Sequence, residues 1–398
     1  MLVREALPRP DSRHSCIRMA VSHGLDTEEV TSRLIEDLRQ PNISLVLFFT
    51  STCFDLDCIA PRLRAEWPDA EIAGCTTTRE IAPDGYTANS IVGISFAAPD
   101  FHAVTGLIDD LPNFAIARGH QMVRDALSEL SARTAPSDLP MRTFALLLID
   151  GLSRSEETVV SSLQSVLGSI PILGGSAGDD LSFQRTLVYQ DGAFHERSAV
   201  LILVSTRFAF EVFKTEHFVA SARRMVVTGA VPTERIVTSI NGRPAATEYA
   251  RLIGVRPEEL TPAVFAAHPL VVRSGGGNYV RSIQQVGEDG SLTFMCAIDE
   301  GMVLRIAEDT GIVEDLEDRL ASLRARLGPL QLVIGCECIL RFLELEQKGL
   351  TGQAGRILSE NNVVGFCTYG EQYQSMHINQ TFTGVAIGWR NTHDPSQA

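Results

Sequence analysis

At 398 residues the chain exceeds the roughly 250–300 over which a single hydrophobic core grows, so at least two domains are expected. Composition is that of an ordinary globular protein, 44% hydrophobic and 21% charged, and a net charge of −15 repels nucleic-acid phosphates and anionic membrane surfaces alike. No stretch reaches the ~18–20 apolar residues of a membrane helix, and the opening MLVREALPRPDSRHS lacks an apolar core of signal-peptide length, so a soluble cytoplasmic protein is expected.

The first apolar run, LVLFFT at 45–50, reads as a buried parallel strand. A helical stretch at 56–67 follows, then a second strand closing at Gly74, an acid at Glu80, and a strand at 89–96. An amphipathic helix at 116–130 and a Pro/Ser/Thr-rich loop at 134–140 lead to the second copy. That copy has a strand at 144–149, a helix at 155–167, Gly174, Asp180 and a strand at 198–204.

From about Phe213 the pattern changes. Strands surround a polar turn within 226–241, and a helix runs from Pro244 to a cap at Gly254. Strands at 268–273 and 278–283 flank a glycine run at 275–277, and Asp289-Gly290 marks a hairpin. A charged amphipathic helix at 313–326 precedes the third copy: strand 330–335, a helix over 339–358 interrupted by glycine, Gly365, Glu371 and a strand at 380–387.

The expected fold class is therefore α/β, with repeated β-loop-α-β-turn-β units forming mixed sheets flanked by helices and a β-rich insert in the C-terminal half. The expected division is a tail at 1–20, an N-terminal domain at 21–212, a C-terminal domain at 213–390 and a tail at 391–398. The repeated glycine supplies positive φ or lets another group approach the backbone. The repeated acid reads as a turn cap in Glu80 and Asp180, and as a cap or a ligand-binding carboxylate in Glu371.

The eight cysteines form no CxxC and read as reduced, mostly buried thiols. Cys336 and Cys338 share one strand face and leave a redox or haem-thiolate role open, with Arg341 the base nearest to them in sequence. GGSAG at 174–178 fits GxSxG, with His377 downstream. A nucleophile elbow needs a helix after its serine, whereas a polar turn and strand follow Ser176. Thr77 and Thr368 occupy the matching positions, which suits a structural hydroxyl, so a non-catalytic binding protein is expected. The glycine run at 275–277 lacks the Lys-Ser/Thr and helix of a phosphate cradle.

The order of IAGCTTTREI, ILGGSAGDD, TSINGRPAATEYARLIG, HPLVVRSGGGNYVRSI, DEGMVLRIAED, VVGFCTYGEQY and INQTFTGVAIG resembles the FIST family, an N-terminal FIST half followed by a C-terminal one. The resemblance spans about residues 20–390. It implies a sensory input module of bacterial signalling that holds a small ligand. The chain has no kinase, receiver or GGDEF-like segment. In this it is similar to a stand-alone branch that binds haem b, senses nitric oxide and regulates a histidine kinase of a two-component system or a cyclic-di-GMP enzyme in trans.

Haem iron requires a strong protein donor. His14 and His393 lie in the tails and His120 on a helix face, so His268, directed by Pro269, leads as the metal ligand. Leu270 and Val271 would wall the macrocycle, Arg273 and Arg281 would meet propionates, and Tyr279 would lie against the ring. His217, His195 and His377 stand in reserve. The plainer reading has His268 in a turn and Arg281 paired with one of the 49 acids. A second ligand reading has an amino acid or other small metabolite, its ammonium on Glu371 and its carboxylate on Arg341 or Arg281. A homodimer stays open under either.

Overall fold

The computed structural model describes residues 16–134, 136–274 and 277–391. Its first unit comprises β1 (Ile17–His23), α1 (Thr27–Leu38), β2 (Ile43–Ser51), α2 (Leu56–Glu66), β3 (Glu71–Thr77), the hairpin β4 (Arg79–Ala82) and β5 (Gly85–Thr87), and β6 (Ser90–Ala97). The second repeats it: β7 (Phe101–Ile108), α3 (Ile116–Arg133), β8 (Thr143–Ile149), α4 (Glu156–Leu167), β9 (Ile172–Ser176), the hairpin β10 (Val188–Gln190) and β11 (Ala193–His195), and β12 (Ala199–Thr206).

The third unit opens with β13 (Phe208–Lys214) and is then interrupted by an insert. The insert runs through β14 (Phe218–Val231), β15 (Ile236–Ile240), β16 (Arg243–Pro244), α5 (Ala245–Ile253), α6 (Pro262–Ala267), β17 (Leu270–Ser274), β18 (Gly277–Arg281), β19 (Ile283–Val286), β20 (Leu292–Phe294) and β21 (Val303–Asp309). The unit resumes with α7 (Ile312–Leu327), β22 (Leu330–Cys338), α8 (Ile339–Gln347), α9 (Thr351–Glu360), β23 (Val363–Thr368), the hairpin β24 (Glu371–Tyr373) and β25 (Met376–Ile378), and β26 (Phe382–Asn391). The α/β class with mixed sheets flanked by helices is thus as the sequence implies. The division expected at 212/213 falls inside β13, whose Phe213 pairs with Gly384 of β26.

Each unit forms four strands of a six-stranded sheet, and the last two come from elsewhere. The orders are β1-β6-β2-β3-β10-β11, β7-β12-β8-β9-β24-β25 and β13-β26-β22-β23-β4-β5. The hairpin of unit 2 therefore completes unit 1, that of unit 3 completes unit 2, and that of unit 1 completes unit 3. The three sheets meet in one core that includes Leu47, Phe49, Leu146, Leu148, Leu332, Ile334 and Phe366. Phe49 of unit 1 and Phe366 of unit 3 stack there, ring centroids 4.6 Å apart. Helices cover the outer faces: α1 and α2 on unit 1, α3 and α4 on unit 2, α7 to α9 on unit 3. The insert is an eight-stranded sheet with its own core around Tyr249, Phe265, Leu292 and Leu304.

The repeated glycine has one physical cause. Gly74, Gly174 and Gly365 sit in strands opposite Phe48, Leu147 and Gly335 of the paired parallel strand. A Cβ at any of the three would collide with that partner's carbonyl oxygen. Close backbone approach, not positive φ, fixes the residue.

Gly174→Ala should push β8 and β9 apart and cost about 1–3 kcal/mol, as overpacking does. Gly352 in α9 has open space where a Cβ would stand, so Gly352→Ala should be neutral or slightly stabilising. Thermal unfolding of the two variants side by side measures the difference.

Candidate functional site

Where unit 2 meets the insert, a cleft of about 380 Å³ opens. Its floor depends on Asp150, directly after β8, whose carboxylate accepts from the Leu152 and Arg197 amides (2.9 and 2.6 Å) and from the Thr186 hydroxyl. That bonding shapes the 150–155 loop, which brings Gly151, Leu152 and Arg154 to the cleft. Gly151 is obligatory, because a Cβ there would strike the Ala177 carbonyl and Tyr369.

A second loop is organised by Asp179. Its carboxylate accepts from the backbone amides of Phe183 (3.0 Å), Gln184 (2.6 Å) and Arg185 (2.8 Å), and from the Tyr369 hydroxyl. Phe183 is held stacked on Tyr369 at 4.8 Å. The capping acid of the second copy is therefore Asp179, while Asp180 is exposed. The insert supplies the opposite wall: Arg235, Gln284, Gln285, Phe294 and Met295.

Arg235 ties the walls together. Its guanidinium reaches Glu156 (2.6 Å) and Glu157 (2.5 Å) at the start of α4 and donates to the Met295 carbonyl (2.8 Å). Desolvation pulls the Arg235 pKa down, but Glu156 and Glu157 outweigh it and the net shift is upward. Glu157 also accepts from the Ala297 amide at 2.6 Å. Desolvation raises its pKa, yet the charges of His377 and Arg235 hold it below the ordinary carboxylate range. Among the described residues, the side chains of Arg154, Gln284 and Gln285 have no hydrogen-bond partner. The cleft thus presents one free cation and two free amides beside an aromatic pair.

The residues expected to hold haem do not form one group. His268 ends α6 half-buried, its carbonyl accepting from the Tyr249 hydroxyl at 2.7 Å. In the β17–β18 ladder Val272 faces Tyr279 and Leu270 faces Arg281, whereas Arg273 faces Asn278. Alternation places Tyr279 and Arg281 on one face and Arg273 on the other. Gly275 and Gly276 of the glycine run lie outside the described residues, as do His14 and His393. The register thus parts Arg273 from the other residues expected around a haem.

The reserve histidines have partners of their own. His195 contacts the Gln190 carbonyl at 3.2 Å. His377 is buried between Gln372 (3.2 Å) and the Met295 carbonyl (3.3 Å), and Gln372 donates to the fully buried Ser176. His217 is also fully buried. Arginine can only donate, so Nδ1 of His217 accepts from Arg341 (2.8 Å), and Nε2 carries the proton toward Glu344 (2.8 Å). Burial first, with the Arg341 charge, lowers the His217 pKa against the pull of Glu344. His217, Asp309 and Glu344 bring ligand atoms within 4.8 Å of one another, but Lys348 Nζ lies 2.6 Å from both carboxylates and fills the cation position.

Glu371 and Arg341, expected for an amino-acid ligand, are fully buried and engaged. Glu371 accepts from Thr368 (2.5 Å) and Thr381 (2.7 Å), as Glu80 does from Thr77 and Ser90. Burial pushes Glu371 up to about 8 and Glu80 up to about 7, with the hydroxyl bonds opposing. All eight cysteines are free, and burial raises the Cys336 and Cys338 thiols. Sequence reasoning missed Arg154, Asp179, Arg235, Gln284 and Gln285. The Glu156-Glu157 doublet at a helix start was the one available signal that a cation must approach there.

The family model described as FIST N domain matches residues 44–243, and that described as FIST C domain matches 245–374. An uncharacterised protein of Methanocaldococcus jannaschii is 22% identical over 422 residues, covering 95% of this chain and 80% of that one. Among solved structures, a cyanuric acid hydrolase from A. caulinodans covers 94% of this chain and 99% of its own at 8% identity, with a TM-score of 0.39, too distant to carry an argument. No helix among the described residues is long and apolar enough to cross a membrane.

Arg235→Ala should cost about 3–5 kcal/mol in urea unfolding, because Glu156 is left buried and uncompensated. The buried acids make a second expectation. Their folded pKa values lie above the ordinary 4.5, so their contribution is complete below about pH 4.5 and is lost as pH rises through about 7 for Glu80 and about 8 for Glu371. Unfolding midpoints should fall across that window, and Glu371→Gln should flatten its upper part.

Proposed function

Because the chain belongs to the FIST family of sensory signalling domains, we propose that it senses a small polar ligand held in the cleft between unit 2 and the insert. The observation that carries this reading is the convergence of Arg154, Gln284 and Gln285, none with a partner among the described residues, beside the stacked Phe183 and Tyr369. A cleft of this volume falls in the roughly 300–1,000 Å³ range of small-molecule sites. Arg154 suits a carboxylate or comparable anion, the two glutamines suit groups that donate or accept, and the ring pair suits a flat apolar flank.

An amino acid or related carboxylate metabolite meets that description. The pairing differs from the one expected on the sequence, since Arg154 takes the place of Arg341 or Arg281 and Glu371 has no part. A ligand touching both walls binds one relative placement of insert and ring better than another, and only such a difference in affinity shifts a population. The readout would be a histidine kinase or cyclic-di-GMP enzyme acting in trans. Haem b and nitric oxide are the other ligand reading for this family, and the residues around His268 lend it no support.

A thermal-shift panel of amino acids and keto acids tests the reading. A true ligand at about one hundred times its Kd adds about 2.7 kcal/mol of stability. Arg154→Ala should abolish the shift and leave ligand-free melting unchanged, because Arg154 is exposed and unpaired among the described residues. Haemin should give no Soret band that moves with nitric oxide. A silent panel together with such a band would sink the proposal.

A further inference from the structure

The insert carries a basic face that the cleft does not use. Strands β14, β21 and β17 are neighbours, and their register sets Arg224 opposite Arg305 and Val226 opposite Val303, with Arg305 in turn opposite Val271. Arg273 lies two residues beyond Val271 and so shares its side of the sheet. The alternate residues Met225, Val227, Leu304, Ile306 and Leu270 are buried in the insert core on the other side. Three arginines and two valines therefore stand together, away from that core. Val226 is 38% exposed and Val303 46%, and Arg224 and Arg273 are exposed as well.

The distinction is one of clustering. Some exposed arginines of this acidic chain pair with carboxylates, Arg33 with Glu29, Arg39 with Glu66 and Arg185 with Glu196, and others such as Arg154 stand singly, whereas here three arginines share one patch. Among the described residues, Arg224, Arg273 and Arg305 have no ion pair, and Arg305 donates to the Ser221 carbonyl at 2.9 Å. Like charges directly across a ladder destabilise a sheet. Desolvation, and then the charges of Arg224 and Arg273, lower the pKa of Arg305. The mutual repulsion of these arginines costs the fold stability.

We propose that this face docks an acidic surface of a different protein, the arginines meeting carboxylates and Val226 and Val303 packing at the centre. Charge complementarity selects the occupant. A second copy joined by a two-fold axis would set arginines against arginines. DNA or an anionic membrane, approaching with many charges at once, meets the long-range repulsion of a chain at −15, whereas a protein offers a few carboxylates locally.

The test uses the full chain and a short fluorescein-labelled helical peptide with glutamates flanking spaced leucines, followed by fluorescence anisotropy. Wild type should bind, more weakly as salt rises. Arg224→Glu with Arg305→Glu should weaken binding about tenfold or more with melting unchanged. Val226→Ser with Val303→Ser should weaken it several-fold without altering the salt slope. If the reversed pair misfolds, Arg224→Gln with Arg305→Gln serves. No peptide binding, or binding indifferent to these variants, overturns the proposal. So does preferential binding of duplex DNA or phosphatidylserine vesicles, or self-association in sedimentation that the arginine variants abolish.

Discussion

The structure depends on an exchange of hairpins around a ring of three units. A sheet of four strands would leave its last parallel strand as an open edge, with a row of backbone donors and acceptors facing water. Here β3 is covered by β10, β9 by β24 and β23 by β4, so each unit closes its successor or predecessor and none is complete alone. The carboxylates Glu80 and Glu371 sit at the roots of two of these hairpins, each held by two hydroxyls in full burial, and Asp179 does related work in the third by tying down a loop. The repeated acid is thus a fastening of the exchange.

The same constraint explains where a ligand can go. The ring interior is filled by Phe49, Phe366 and their neighbours, which leaves no room at its centre. The cleft of about 380 Å³ opens instead where the ring meets the insert, which does not share its symmetry. Arg235 crosses this junction to Glu156 and Glu157, so the wall of the cleft and the strut that fixes its width are one side chain.

Much of the ring was legible from sequence. The apolar runs of β2, β8 and β22, the glycines and the helices that follow are strong local signals. The exchange was not, because three-residue strands such as Val188–Gln190 and Glu371–Tyr373 carry no pattern that names a partner. Parity took Arg273 out of the expected haem constellation. Once Ser274 pairs with Gly277, Arg273 must face Asn278, and it parts company with Tyr279 and Arg281. The cleft was hidden for another reason: its residues come from the 150s, the 180s, the 230s, the 280s, the 290s and Tyr369, and only the fold gathers them.

The insert enters and leaves the ring at one place. The carbonyl of His217 accepts from both the amide and the hydroxyl of Thr310, and Arg341 binds the His217 ring and the Ile312 carbonyl. The ninety-odd residues between leave and rejoin the ring there, and they rest on it again through Arg235 and through Ala266 and Met295, which pack with Ile339, Leu340 and Tyr369. Every strand that the ring trades lies outside the insert, so a change of length or sequence within the insert alters what the cleft and the basic face present and leaves the exchange itself in place.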